Sequence, residues 1–166
     1  MTTCRAPRED DVSALSALRN DLPTQYALLA DPQPNSDADV RAWLRRRTTD
    51  PSALFFVIAD DRDAAVGFTQ VVAIDARSRH GTFGIAVGSE HRGRGHGRAA
   101  LAHVLDAARA DGRMDKLVLH VAADNPACAL YRAAGFRDVG VHRRHYRGAE
   151  RWHDVAIMER FFEDAP

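Results

Sequence analysis

Glu90-His91-Arg92-Gly93-Arg94-Gly95-His96-Gly97-Arg98 is the stretch on which the reading of this chain turns. It follows a run with strand character, Thr82 to Val87. It opens a run with helical spacing, Gly97 to Asp111, in which Leu101, Val104 and Leu105 recur and Gly112 stands just past the end. Glycines accept backbone angles that side chains forbid, and they let neighbouring N–H groups converge on one point. At a helix N-terminus those N–H groups and the helix dipole make an anion site suited to phosphate, and Arg92, Arg94 and Arg98 add positive charge. No Gly-Lys-Ser/Thr ending closes the loop, as a Walker sequence requires. A dinucleotide fingerprint can be laid on Gly95, Gly97 and Ala100. In that fold, however, the strand runs straight into the first glycine and an acidic residue ends the next strand. Here Gly88 to Arg92 intervene, and Asp115 precedes the next strand. A strand-to-helix turn without a ligand is the plain alternative.

Outward from the loop the punctuation is regular. Thr2 to Ala6 reads as a short first strand stopped by Pro7. Glu9-Asp10-Asp11 then supply an acidic helix start, with Val12, Leu15 and Leu18 at helical spacing. Pro23, Pro32 and Pro34 make Asp21 to Asn35 a loop or a broken helix. Ser36 with Asp39 opens a second helix carrying Val40, Trp43 and Leu44, which ends near Asp50-Pro51. Leu54 to Ile58 and Val66 to Ile74 form a hairpin around Asp60 to Asp63. Beyond the glycine loop, Leu117 to Val121 reads as a buried strand. Asn125-Pro126 starts a helix that ends at Gly135. Phe136 to Val141 and Val155 to Phe162 are the last two strands, around a turn at Arg147-Gly148. The order β-α-α-β-β-β-α-β-α-β-β predicts an α/β (α+β) fold. Its central sheet is mixed and mostly antiparallel, flanked by about four helices, in a single domain spanning residues 1–166.

Composition bounds the function. The 166 residues carry 23 basic and 23 acidic side chains, a neutral balance that argues against a dedicated nucleic-acid binder. The cations are 22 Arg and one Lys, Lys116, and 29 residues are Ala, so the large core side chains must be few and well placed. Cys4 and Cys128 make neither a disulfide framework nor a metal knuckle. No long apolar window crosses a membrane and no hydrophobic leader precedes Arg5, so a cytoplasmic location is expected. His142 and His145, three apart on a strand, are expected on opposite faces, and no metal site is expected.

The loop and one further segment resemble the GNAT N-acetyltransferase family. That family's acetyl-CoA loop reads Arg/Gln-x-x-Gly-x-Gly/Ala, which Arg92 to Gly97 fits. Its second motif, an Asn followed by Leu-Tyr-x-x-x-Gly-Phe, is matched by Asn125 through Leu130, Tyr131, Gly135 and Phe136, with one residue fewer than usual between Asn and Tyr. The resemblance runs over nearly the whole chain and implies acetyl-CoA as co-substrate. It implies pyrophosphate on Arg92, Gly93, Arg94, Gly95, His96, Gly97 and Arg98, pantetheine beside Ile85 and Val87, and Asn125 at the cofactor. It makes Tyr131 the general acid, since a phenol with a pKa near ~10 stays protonated at neutral pH and can protonate a thiolate. Relatives often place a Glu early on the strand before the loop; Thr82 stands there, leaving Glu90, His80, Asp31, a water chain or an already neutral amine.

The closing hairpin, Gly140 to Met158, looks like the branch of ribosomal-protein N-terminal, spermidine and amino-sugar-nucleotide acetyltransferases. Arg143, Arg144 and Arg147 favour an amino-sugar nucleotide as the small primary-amine acceptor. Asp21, Asp31, Asp37 and Asp39 would suit a polyamine. A non-catalytic acyl-CoA-binding or RNA-binding module is the reading from another class. Arg45-Arg46-Arg47 speaks for RNA, but few aromatics accompany the arginines. The strand from Trp152 to Phe162 is a candidate homodimer edge.

Overall fold

In the computed structural model, which describes residues 1–162, Asp21 and Ser36 cap the helices that follow them, and Gly112 ends the helix after the glycine loop. Strand β1 (Thr3–Arg5) and a single 3-10 turn (Glu9–Asp11) lead into α1 (Val12–Asn20). The buried Asp11 carboxylate joins them, accepting from Arg5 Nη1 at 2.8 Å, Arg5 Nη2 at 2.9 Å and the Arg8 N–H at 2.7 Å. Helix α2 (Leu22–Ala27) occupies part of the proline-bearing stretch. Asp21 caps it, accepting from the Thr24 N–H at 3.1 Å, and Pro23 sits in the first turn, where a missing N–H costs nothing. The described residues therefore hold five α-helices rather than four. In α3 (Asp37–Thr49) Ser36 and Asp39 form the reciprocal capping box, an arrangement in which one cap is worth about 1 kcal/mol.

Strands β2 (Leu54–Ala59), β3 (Ala65–Asp75) and β4 (His80–Val87) follow as a meander, then α4 (His96–Asp111), β5 (Lys116–Ala122), α5 (Ala127–Ala133), β6 (Arg137–Arg147) and β7 (Trp152–Phe161). The seven strands form one sheet in the order β1-β2-β3-β4-β5-β7-β6. Only β4 and β5 run parallel, so the sheet is mixed and mostly antiparallel. Strand β7 lies between β5 and β6, with both of its sides paired. The expected dimer edge at Trp152 to Phe162 is thus interior, and β6 is the outer strand.

Each face of the sheet buries its own core. On one face Leu101, Val104, Leu105 and Ala108 of α4, with Cys128 and Tyr131 of α5, pack on Val71, Phe83, Leu117, Leu119 and Met158. Alanines at 100 and 108, fully buried, let α4 approach closely, which is how an alanine-rich chain still fills its core. On the other face Leu15 of α1 and Val40, Trp43 and Leu44 of α3 cover Phe55, Val57, Phe68 and Ala86. Trp43 meets Phe55 and Phe68 edge-on at ring distances of 5.1 and 5.0 Å.

Two irregularities matter for the site. First, β4 and β5 pair only over His80–Thr82 with Lys116–Val118, and their ladder then stops. Second, the β6–β7 register shifts between His142 and Tyr146, where Arg144 adopts φ +49°. That bulge cancels the alternation of faces. The rings of His142 and His145 stack at 4.6 Å instead of pointing apart, which corrects the expectation from period two. No group of three His, Cys, Asp or Glu side chains among the described residues is placed to hold a metal ion.

Candidate active site

Where the β4–β5 ladder stops, a cleft of about 620 Å³ opens. Ile85 and Val87 of β4 form one wall. Asn125, Pro126, Ala127, Leu130 and Tyr131, leading into and along α5, form the other, and Arg92, Gly93, Gly95, His96, Gly97 and Arg98 close the end. Of the expected cofactor-binding residues, Arg94 alone lies off this cleft: it lines a separate hollow with Met1, Thr2, Asp60 and Asp61. The strand-to-helix turn aims its side chain away, and only its backbone belongs to the loop.

The loop is shaped by its backbone. A 3-10 turn (Ser89–His91) ends β4, and Gly93 and Gly95 then take φ of +75° and +88°. A Cβ at either glycine would meet nothing within 4 Å. Space is therefore not the constraint; the left-handed backbone is. Gly95 serves as N-cap of α4, and the first-turn N–H groups of a helix have no intrahelical acceptor. With the helix dipole they make an anion-receiving end. Arg92 is held by its own bonds, donating from Nε to the Val87 carbonyl at 3.0 Å and from Nη2 to the Thr24 hydroxyl at 3.0 Å. That second bond joins the loop to α2. His96 Nδ1 lies 2.9 Å from the Thr2 hydroxyl.

On the facing wall Asn125 Oδ1 accepts from the Ala127 N–H at 2.9 Å, so this side chain starts α5 while bordering the cleft. Tyr131 is buried, 7% exposed. Its ring meets Phe83 and Phe136 edge-on, each at 6.0 Å. Burial, with a smaller contribution from Cys128, pushes its phenol up to about 12. The hydroxyl therefore carries its proton throughout the neutral range, as a proton donor must.

None of the three side chains weighed as base borders this cleft. Glu90 is exposed, 3.4 Å from His91, on a hollow facing α1. Its own backbone N–H, above all, holds its carboxyl below the usual range, which makes it a poorer proton acceptor. His80 begins β4 at the paired end. Asp31 accepts from Gln33 Nε2 at 3.2 Å in the loop after α2. Arg143, Arg144 and Arg147 border neither the cleft nor the hollow beside it; Arg144 and Arg147 lie over the Trp152 ring at 5.8 and 5.9 Å. Asp21, Asp37 and Asp39 are engaged with Thr24, Ser16 and Ser36.

A second hollow, about 290 Å³, adjoins the cleft and shares Ala27, Arg92, Asn125 and Pro126 with it. Its remaining wall is Pro23 and Tyr26 of α2, Ala122, Asp124, and Tyr146 and His153 of the outer hairpin. Tyr146 fixes this wall by donating to the Ala30 carbonyl at 2.6 Å and meeting Tyr26 at 6.4 Å. Sequence reading missed Tyr26, Asp124, Tyr146 and His153. They come from four segments, and only Asp124, adjacent to Asn125, carried a positional hint.

Comparison with known proteins places the chain in a family. The family described as Acetyltransferase (GNAT) family matches residues 15–136. The ribosomal protein bS18-alanine N-acetyltransferase of Salmonella typhimurium is 40% identical over 101 residues, 60% of this chain and 65% of that protein, so the match spans just under two thirds of its length. The spermidine N(1)-acetyltransferase of Vibrio cholerae is 26% identical over 157 residues, 94% of this chain and 90% of that protein. A crystal structure of Vibrio cholerae spermidine N-acetyltransferase in complex with CoA and spermine superposes with a TM-score of 0.88 at 25% identity, covering 96% of this chain and 95% of that one.

Proposed function

The chain belongs to the acetyltransferase (GNAT) family, and on that footing we propose that it moves the acetyl group of acetyl-CoA directly onto the primary amine of a peptide or protein N-terminus. The CoA pyrophosphate is assigned to the N–H groups of residues 93–98 with Arg92 and Arg98 as counter-charges. The pantetheine arm is assigned to the free side of β4 at Ile85 and Val87, pairing like an added strand. Tyr131 is assigned as the acid that protonates the departing thiolate.

The observation that carries the acceptor class is the content of the second hollow. It sets two aromatic walls, Tyr26 and Tyr146, around a single carboxylate, Asp124, whose charge Arg151 already partly offsets. That chemistry suits a single ammonium on an otherwise uncharged chain. The ribosomal-protein alanine N-acetyltransferase relative supports it. An amino-sugar nucleotide finds no arginine cluster there for its phosphates, because Arg143, Arg144 and Arg147 lie elsewhere.

The second reading is a polyamine acceptor, favoured by the likeness over 96% of the chain to the structure holding spermine. Against it, three of the four carboxylates that suited a polyamine are engaged with neighbouring hydroxyls. Exposed Val139 and Val141 on β6 support self-association through the outer strand, which light scattering tests. Release of CoA, followed with a thiol reagent against alanine-ended peptides, spermidine and an amino-sugar nucleotide, decides the acceptor. Turnover with peptides is the expected outcome. Turnover with spermidine alone establishes the second reading, and no turnover with any amine leaves a binding module.

A further inference from the structure

The amine must lose a proton, and the residues named so far provide an acid but no base. Two pairs of imidazoles or carboxylates border the cleft and its adjoining hollow within reach of that task. His91 and His96 stand at the phosphate end, facing each other at 6.4 Å, with His96 tied to Thr2. The other pair is different. His153 Nδ1 lies 3.4 Å from Asp124 Oδ1, in the hollow where the acceptor is assigned. Asp124 directly precedes Asn125, which starts the helix carrying Tyr131. One helix start thus anchors the carboxylate behind the imidazole and positions the phenol.

Resting on the acceptor reading above, we infer that His153, oriented by Asp124, is the base that takes the proton of the acceptor ammonium. With Nδ1 turned to Asp124, Nε2 is the nitrogen free to accept. Gly148 lies against that edge of the ring: a Cβ there would approach His153 Nε2 to 2.8 Å, so only glycine leaves room beside the nitrogen. Arg151, paired to the other Asp124 oxygen, fixes the carboxylate from behind. Tyr146 faces the imidazole from β6 at 6.2 Å, and Tyr26 and Arg92 face the hollow from α2 and the loop. Hydrogen bonds of this kind are commonly long before substrate arrives and shorten in the complex.

The proton balance is complete. The ammonium gives one proton to Nε2, which returns it to solvent. The neutral amine nitrogen bonds to the acetyl carbon, the C–S bond breaks, and the Tyr131 hydroxyl proton goes to sulfur. The second proton on the new amide nitrogen restores the phenol. The net products are the amide, CoA thiol and one released proton.

The test compares wild type with His153→Gln on the peptide that wild type acetylates, and on hydroxylamine, a nucleophile already neutral at pH 7. The expected result is a loss of about 100-fold in kcat/KM for the peptide, the size usual for a positioned base. KM for acetyl-CoA stays unchanged, and hydroxylamine turnover stays near wild type. Asp124→Asn gives a smaller loss of the same pattern. A wild-type kcat/KM on the peptide overturns the inference, and so does equal loss on both nucleophiles, which marks a structural role. If wild type acetylates no amine, the functional reading itself falls and takes this inference with it.

Discussion

Strand β5 has two sides, and they were built to opposite ends. Along one side β7 pairs with all seven residues, Lys116 to Ala122. Along the other, β4 pairs with the first three and then departs. The residues are the same; the neighbours differ. Past Thr82, β4 is held by β3, with Phe83 to Val87 opposite Val71 to Gly67, while β5 is held by β7. Each strand follows its better-paired neighbour and the gap between them widens. On the complete side Leu117, Leu119 and Met158 are buried to 2% or less. On the incomplete side the gap is lined by the glycine loop and Tyr131. The lesson is a division of labour within one strand: stability lies where the ladder is finished and chemistry where it is not.

Four substitutions put this division at risk. Tyr131→Phe, on the open side, is expected to lower kcat about 1000-fold, while acetyl-CoA affinity by calorimetry and the thermal midpoint stay close to wild type. Wild-type activity should also persist past pH 10, because the buried phenol holds its proton to about 12; a pH–rate profile checks this. The linked stability has the matching sign. Keeping the phenol neutral favours the fold below the unfolded pKa near ~10 and is lost as pH rises through about 12. Met158→Ala, on the finished side, leaves a cavity opposite Leu119 and is expected to cost about 3 kcal/mol in urea unfolding, with kcat of the folded fraction unchanged. An activity defect there would blur the distinction between the two sides. Gly95→Val forces a β-branched residue to φ +88°, a strain of about 1–2 kcal/mol, and acetyl-CoA Kd should rise about 10-fold. Glu90→Gln, exposed and off the cleft, should leave kcat/KM within about twofold; a large loss would return Glu90 to the reaction.

What was legible in advance rests on local signals. Ser36 and Asp39 announce a capping box three residues apart, and it forms. The glycines of the loop announce positive φ, and Gly93 and Gly95 adopt it. Helix α2 falls within a stretch that reads as loop or broken helix, because proline is a breaker in a helix interior, although in a first turn it is tolerated. The insertion of β7 between β5 and β6 escaped because strand order depends on long-range pairing, which period-two patterns do not encode. The stacked His142 and His145 escaped for a similar reason: a bulge at Arg144 leaves no mark in residue type. The second hollow was illegible because its walls meet only after α2, the β5 end and the outer hairpin are assembled. Asp124 and His153 lie 29 residues apart.

The bulge at Arg144 has one more effect. As the outermost strand, β6 offers a row of unpaired amide and carbonyl groups to any extended peptide that drifts alongside. A residue at φ +49° in the middle of that row interrupts its repeat. The Asp154 carboxylate also occupies the Arg144 N–H at 2.7 Å. Arg137, Arg143, Arg144 and Arg147 add like charge along the same border. The eleven-residue strand is thereby interrupted, and its exposed rim is a less regular template for pairing.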